Sequence, residues 1–331
     1  MVRIKRYGQS DYTRAVIETL QPFREALHAE KSPDEPGPTL ESLERKLRGI
    51  PAHQRIETWI ATLPDGTVVG TAVLVMFETE GQKHLADGRV EVHPSYRRKG
   101  LGRRLYSLMG AFARDHGRQT LVGTSRSRLP SGAAFMSAIH ARPGLTEQVV
   151  RLELATLDRE QLSRWAAPLE GFSAVQWASS CPDELLENYA QLTQLFNDIP
   201  VGEINLGDHT RTPELLREEE EARQRAGVER WTLAARDEAT GNLVGLTELY
   251  FREDRPEKAH QGITGVEVAH RGHGLGRWLK ASMLLKLLEE KPAVRYVETE
   301  NALQNEAMRH INDALGFRLH EEQTVWQLEL S

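Results

Sequence analysis

The sequence predicts an α/β (α+β) chain of two tandem domains, each a mixed, mostly antiparallel sheet flanked by helices. Two glycine loops carry that expectation, Arg97-Arg98-Lys99-Gly100-Leu101-Gly102 and Arg271-Gly272-His273-Gly274-Leu275-Gly276. Each follows a β-branched run with the same tripeptide, Val90-Glu91-Val92 and Val266-Glu267-Val268, and each opens an apolar-periodic helix. At 331 residues the chain has the length of two ordinary domains.

The first half opens with a strand, Val2-Arg3-Ile4-Lys5, and continues into helices separated by Lys31-Ser32-Pro33-Asp34-Glu35-Pro36-Gly37-Pro38, too proline-dense to be helical. Trp59-Ile60-Ala61-Thr62 and Val68 to Leu74 read as strands joined by a Pro64-Asp65-Gly66 turn. After the loop, Leu101, Leu105, Leu108 and Phe112 fall at helical spacing. A strand at Thr120-Leu121-Val122, a helix and a closing strand, Val149-Val150-Arg151-Leu152-Glu153-Leu154, complete the half.

The second half repeats that order. Phe172 to Trp177 is its first strand, followed by Trp231 to Ala235, Leu243 to Leu249, a helix with Leu275, Leu279, Met283 and Leu287 on one face, and a strand at Val294 to Val297. Val325-Trp326-Gln327-Leu328-Glu329-Leu330 closes it. The Trp residues are 231 − 59 = 172 positions apart and the loop arginines 271 − 97 = 174, which sets the repeat length. The expected division is 1–157 and 172–331, with 158–171 as connector. The acidic helix 215–226 pairs Glu219 with Arg223 and Glu221 with Arg225 at i,i+4 and reads as solvated.

Composition narrows the function classes. With 42 Lys+Arg against 48 Asp+Glu the net charge is −6, which argues against a nucleic-acid partner held by a general basic surface. One cysteine, Cys181, excludes an intramolecular disulfide framework and a multi-cysteine metal site; no metal is expected. No apolar leader follows the charged N-terminus, and no run approaches the ~18 apolar residues of a membrane span. The expectation is a cytoplasmic protein, monomeric or homodimeric, with no membrane partner.

The loops have a direct physical reading. Glycine lets backbone N–H groups approach a ligand in conformations other residues resist. The first turn of a helix adds unpaired donors and a partial positive charge, so each loop and helix start form an anion site suited to phosphate. Neither loop has the Gly-Lys-Ser/Thr of a nucleotide triphosphatase or the spacing of a dinucleotide fingerprint.

The order strand, helices, antiparallel strands, strand, Arg-x-x-Gly-x-Gly loop, helix, strand, helix, strand resembles the GNAT acetyltransferase superfamily, here in tandem. The resemblance covers nearly the whole chain. It implies acetyl-CoA as cofactor, with Arg97, Arg98, Lys99, Gly100, Leu101, Gly102 and Arg103, and Arg271, Gly272, His273, Gly274, Leu275, Gly276 and Arg277, around the pyrophosphate. Val90, Glu91 and Val92, and Val266 and Val268, would line the pantetheine arm. Asn305-Glu306-Ala307-Met308 with Leu315-Gly316-Phe317 resembles the Asn-x-x-Ala … Leu-Gly-Phe signature, making Asn305 and Asn301 candidate pantetheine ligands. In architecture the chain is similar to mycothiol synthase, and closer to bacterial tandem GNAT proteins with Asn-Asp-x-Pro after the first helix. Here that is Asn197-Asp198-Ile199-Pro200; with Gln261 of His260-Gln261-Gly262, Asn197 and Asp198 would face the acceptor.

The resemblance implies transfer of an acetyl group to the amine of a small molecule, which requires a neutral nitrogen. An alkyl ammonium of pKa about 10.4 must therefore lose a proton at neutral pH. Glu267, beside the cofactor strand, is the candidate base, with Glu91 its counterpart, and a backbone N–H near Val268 the oxyanion donor. Many family members place a Tyr acid five residues before the Phe of Gly-Phe; here that position is Asn312, which is no acid. The equivalent first-half position is His140, a candidate proton donor at neutral pH, and Tyr250 is another candidate acid.

Counting back 172 from Asn305 gives Ala133, so the first half lacks the second cofactor contact, and catalysis is expected in the second half. A non-catalytic acyl-CoA sensor and a protein or peptide acetyltransferase are the competing classes.

Overall fold

The computed structural model describes residues 1–198, 201–208 and 210–330. The elements run β1 (Arg3–Gly8), α1 (Arg14–Lys31), α2 (Leu40–Arg48), β2 (Gln54–Thr62), β3 (Val68–Phe77), β4 (Leu85–Val92), α3 (Leu101–Asp115), β5 (Thr120–Arg126), α4 (Pro130–Ala138) and β6 (Arg142–Glu153). They continue through α5 (Arg159–Trp165), β7 (Phe172–Ala178), α6 (Asp183–Leu192), α7 (Pro213–Arg225), β8 (Val228–Asp237), β9 (Leu243–Arg252), β10 (Lys258–Val266), α8 (Leu275–Glu290), β11 (Tyr296–Ala302), α9 (Glu306–Leu315) and β12 (Arg318–Glu329).

Two compact units form, and neither is contiguous. One comprises Met1–Thr146, Val201–Asp208 and Gln323–Ser331, the other Glu147–Pro200 and His209–Glu322. The closing strands are exchanged. In the first unit the sheet order is β1-β2-β3-β4-β5-β12, and Gln323 to Glu329 pair antiparallel with β5. In the second it is β7-β8-β9-β10-β11-β6, with Glu147 to Glu153 antiparallel to β11. The sequence assigns each closing strand to its own half instead. Both segments carry the same alternating pattern, so either sheet edge accepts either strand, and a local pattern does not record which.

Pairing also corrects the repeat offset. Ala61 lies opposite Gly70 and Ala235 opposite Gly245, so equivalent positions are 235 − 61 = 174 apart in β2 and β8, as in the loops, and 245 − 70 = 175 apart in β3 and β9. Trp59 therefore corresponds to Leu233, not Trp231.

The cores follow the apolar periodicity. On α8 the expected Leu275, Leu279, Met283 and Leu287 are all buried, against β-strand residues such as Leu249 and Val297. On α3 the buried stripe is Leu101, Leu105, Met109 and Ala113, packed on Trp59, Leu74 and Leu121. Leu108, expected on that face, is exposed, because steps of four residues hold the stripe nearer the sheet than the step to 108 does. The acidic helix is α7; its two i,i+4 ion pairs form, but Glu219 and Glu220 are buried rather than solvated.

In each unit the sheet contains one parallel pair that holds only briefly. Leu85, Ala86 and Asp87 of β4 pair with Thr120, Leu121 and Val122 of β5. Lys258, Ala259 and His260 of β10 pair with Tyr296, Val297 and Glu298 of β11. Beyond those registers the strands part, and each gap lies beside a glycine loop.

Candidate active site

The two loops share one backbone. Arg98 and Gly100 have φ of 61° and 81°, and Gly272 and Gly274 have φ of 84° and 82°. Left-handed residues one apart turn successive N–H groups to the same side, a concavity suited to an anion. Gly100 and Gly274 are the N-caps of α3 and α8, neither helix start has a side-chain cap, and a Cβ at Gly100 or Gly272 would meet open space. The first-turn donors thus remain for a ligand such as a pyrophosphate.

The leading arginines also tie the loops to their strands. Arg97 Nε donates to Val92 O and Arg271 Nε to Val266 O, both at 3.0 Å, clamping the loop to the end of its strand. Arg97 then forks onto Glu30 at 2.6 and 2.5 Å, whereas Arg271 reaches Asp198 at 3.3 Å. The Arg97 hydrogen bond holds the Glu30 carboxyl below the usual carboxylate range. Lys99 Nζ donates to Ser95 O and Arg103 to Ala138 O. Arg277 lies over the Trp165 ring and His273 Nδ1 is 3.2 Å from His270 O.

Glu267 follows the end of β10; its N–H bonds Val244 O at 2.9 Å and its carboxylate lies 3.5 Å from His270 Nδ1, partly exposed. Val268 is 67% exposed. Glu91 is not its counterpart: His93 N bonds Val69 O as Glu267 N bonds Val244 O, and the arginine clamps match Val92 with Val266, so His93 holds that position in the first half. Glu91 lies two residues earlier and pairs with Lys31; although burial pushes this carboxyl up, the Lys31 charge and hydrogen bond bring it below its ordinary value.

Tyr250 donates from Oη to Glu248 Oε2 at 2.6 Å, within a cluster the sequence reading missed. Glu248 Oε1 accepts from Tyr189 Oη at 2.7 Å, Arg230 donates to Tyr189 Oη at 3.0 Å and to Glu220 Oε1 at 2.8 Å, and Arg217 bonds Glu220 Oε2 at 2.7 Å. Burial, then the Glu248 charge, pushes the Tyr250 hydroxyl well above a normal phenol, making it a weaker acid. Gln261 is buried, donating to Thr247 Oγ1 and Glu248 O, while its Oε1 has no partner among the described residues. Asn197 Nδ2 donates to Gln194 Oε1. Ile199 and Pro200 lie outside the described residues.

Cys181 is buried; its N–H donates to Glu220 Oε1, and burial with the Glu220 charge pushes the thiol up to about 12, so it is no nucleophile at neutral pH.

Equivalence of α4 and α9 is set by their ends. Ala141 N bonds Met136 O and Phe317 N bonds Asn312 O, both at 3.0 Å, while His140 and Gly316 both turn left-handed at φ 62° and 95°. Asn312 therefore corresponds to Met136, and Asn305, the N-cap of α9, to Leu129 rather than Ala133. His140 sits exposed at a helix end and is not the counterpart of Asn312. Asn305 Oδ1 accepts the Met308 N–H at 3.3 Å, a capping role.

The space beside each gap differs. In the first unit a cavity of about 80 Å³ is lined by Gly88, Tyr106, Met109, Phe135, Met136 and Ala141, among others. In the second, Lys280 stands where Tyr106 does (280 − 106 = 174) and donates from Nζ to Asn312 Oδ1 at 2.6 Å; Asn312 Nδ2 donates to Asn301 Oδ1 at 3.1 Å. All three are buried, and Phe317, the counterpart of Ala141, fills the remaining space. Sequence alone offered one signal for Lys280, a lysine inside Trp278-Leu279-Lys280-Ala281 on a helix buried on most sides.

Residues 20–135 match the acetyltransferase (GNAT) family model. A tandem GNAT protein from the clavulanic acid biosynthesis pathway superposes with a TM-score of 0.82 at 28% identity, over 100% of this chain and 99% of that one. The chain has the tandem GNAT fold. A GCN5-related N-acetyltransferase from Sphaerobacter thermophilus superposes with the tandem GNAT chain at a TM-score of 0.71 and 18% identity, covering 99% and 96%, a likeness of fold. A search of curated proteins finds no significant relative of this tandem GNAT sequence. The family that residues 20–135 match supports acyl-transfer chemistry and generally uses acetyl-CoA. Among the described residues no helix is long and apolar enough to cross a membrane.

Proposed function

We propose that this chain is an acetyl-CoA-dependent N-acetyltransferase acting on the amine of a small molecule, with its chemistry in the second half. The observation that carries the reading is the repeated anion cradle at the start of α3 and α8, each beside a parallel strand pair that opens after three residue pairs. Residues fit the cofactor there: unpaired helix donors suit a pyrophosphate, and a parted strand edge offers backbone groups to an amide-bearing arm. The bound cofactor would supply an activated acyl thioester.

Contrast between the halves favours the second. Its gap is bordered by amide side chains, whereas the first has Met136 at the position of Asn312 and His93 at the position of Glu267. Glu267, partly exposed at the strand end, would take the amine proton directly or through water. Amine binding is supported by the unpartnered Gln261 Oε1, an acceptor that an N–H donor satisfies. A backbone N–H near Val268 would face the oxyanion as the amine adds, and the departing thiolate would recover a proton from solvent or Tyr250.

A thiol-release assay across an amine library tests the activity, and turnover with no amine would overturn the enzyme reading. Gly274→Trp, which fills the second cradle, is expected to abolish turnover with the fold retained. Unchanged turnover in that variant would move the chemistry to the first half.

A further inference from the structure

We infer that Lys280 is a positioning residue that acts through Asn312 to fix Asn301 with its amide donors toward the second cofactor cleft. The inference rests on acetyl-CoA binding at the second loop.

Hydrogen-bond directions force the arrangement. In its protonated form Lys280 has three donors and no acceptor, so the Asn312 atom 2.6 Å away, to which it donates, is then held as the carbonyl oxygen. The Asn312 Nδ2 is then obliged to be the donor toward Asn301 at 3.1 Å, and the atom receiving it must be Asn301 Oδ1. Asn301 Nδ2 is left on the far side, and among the described residues it has no partner. An amide whose orientation would otherwise be free is thereby given one sense, set from a lysine two links away.

Strand geometry places that free donor at the opening. Thr299 Oγ1 bonds Gln261 O at 3.0 Å just beyond the last β10–β11 pair, and Asn301 follows two residues later on the same face as Thr299. An amide N–H left without a partner there suits a carbonyl acceptor, such as an amide or thioester oxygen.

Burial of Lys280 is costly, and no carboxylate offsets it. Its other neighbours are Met308 Sδ at 3.7 Å and the ring of Phe317, just before β12, at 5.3 Å, so the groups facing it are Asn312, Met308 and Phe317, with Asn301 of β11 behind Asn312, none titratable. A core lysine held by one amide oxygen is an expensive way to fill space that the first half leaves to Tyr106 and a cavity. Orienting a ligand amide accounts for it.

The test is calorimetric titration with acetyl-CoA in a Gly100→Trp background, so that the second loop is read alone. Lys280→Met and Asn301→Ala are each expected to weaken affinity about tenfold, and the double variant to lie within about twofold of Asn301→Ala, since both act through one donor. Asn312→Asp keeps an acceptor for Lys280 but has no donor for Asn301, and is expected to weaken binding similarly in a well-folded protein. Lys280→Gln, whose amide can donate to Asn312, should restore part of the affinity. Lys280→Met within twofold of the parent, or losses that multiply in the double variant, would overturn the inference. A parent that binds no acetyl-CoA would instead overturn the second-half reading on which it stands.

Discussion

Arg98 and Gly272 occupy the same position in the two loops and share a left-handed backbone, at φ 61° and 84°. A side chain in that conformation costs about 1 kcal/mol that glycine avoids. Arg98→Gly is therefore expected to stabilise the first unit by about 1 kcal/mol, and Gly272→Ala to destabilise the second by a similar amount, in urea denaturation. If the Arg98 guanidinium also binds phosphate, the stabilised variant binds acetyl-CoA more weakly at the first loop.

Arg230 and the two carboxylates around it make the second unit sensitive to truncation. Both Arg230 and Glu220 are 1% exposed at the side chain and lie 2.8 Å apart. Arg230→Met leaves Glu220 and Glu248 buried with reduced compensation, and a loss of about 3–5 kcal/mol is expected. Equilibrium denaturation measures it, and a loss under 1 kcal/mol would mean the cluster is better solvated than its packing indicates.

The same cluster sets an acid limit. Burial raises the Glu248 carboxyl, but the Arg230 charge and the Tyr250 and Tyr189 hydrogen bonds together bring it below its ordinary value. A carboxyl depressed in the fold contributes stability above its unfolded pKa, about 4.3, and loses it as pH falls through the folded value. Denaturation midpoints should drop below about pH 4 in the wild type, with a shallower drop in Glu248→Gln.

Lys280 has the opposite sense. Burial brings it down to about 7, so between there and the unfolded value near 10.4 the unfolded chain holds a proton that the folded one has released. Stability from this group is lowest below pH 7 and rises with pH through that window, by up to about 1.4 kcal/mol per pH unit. Urea denaturation at pH 7 and pH 9 should show the rise in wild type and a flatter response in Lys280→Met.

Ala141 and Phe317 offer a packing comparison. Filling the cavity of about 80 Å³ with Ala141→Leu is expected to stabilise the first unit by roughly 1 kcal/mol, less than the cavity's full cost because the fit is imperfect. Phe317→Ala should cost about 3–5 kcal/mol in the second. A destabilised Ala141→Leu would indicate that the walls are rigid.

By itself the sequence determined the duplication, the order of strands and helices, both glycine loops and the buried face of α8. These rest on information local to each segment: alternation, helical spacing, and glycines where the backbone turns left-handed at Gly100, Gly272 and Gly274. Only the tertiary structure decided which sheet receives each closing strand, because Val149 to Leu154 and Val325 to Leu330 present the same pattern to either edge. It also decided that Arg97 and Arg271 clamp strand ends, that Glu220 lies under Arg230 rather than in solvent, and that Lys280 reaches Asn312. Those contacts join residues from 5 to 32 positions apart across different elements, and the pairing of a charge with a distant partner leaves no periodic trace in the chain.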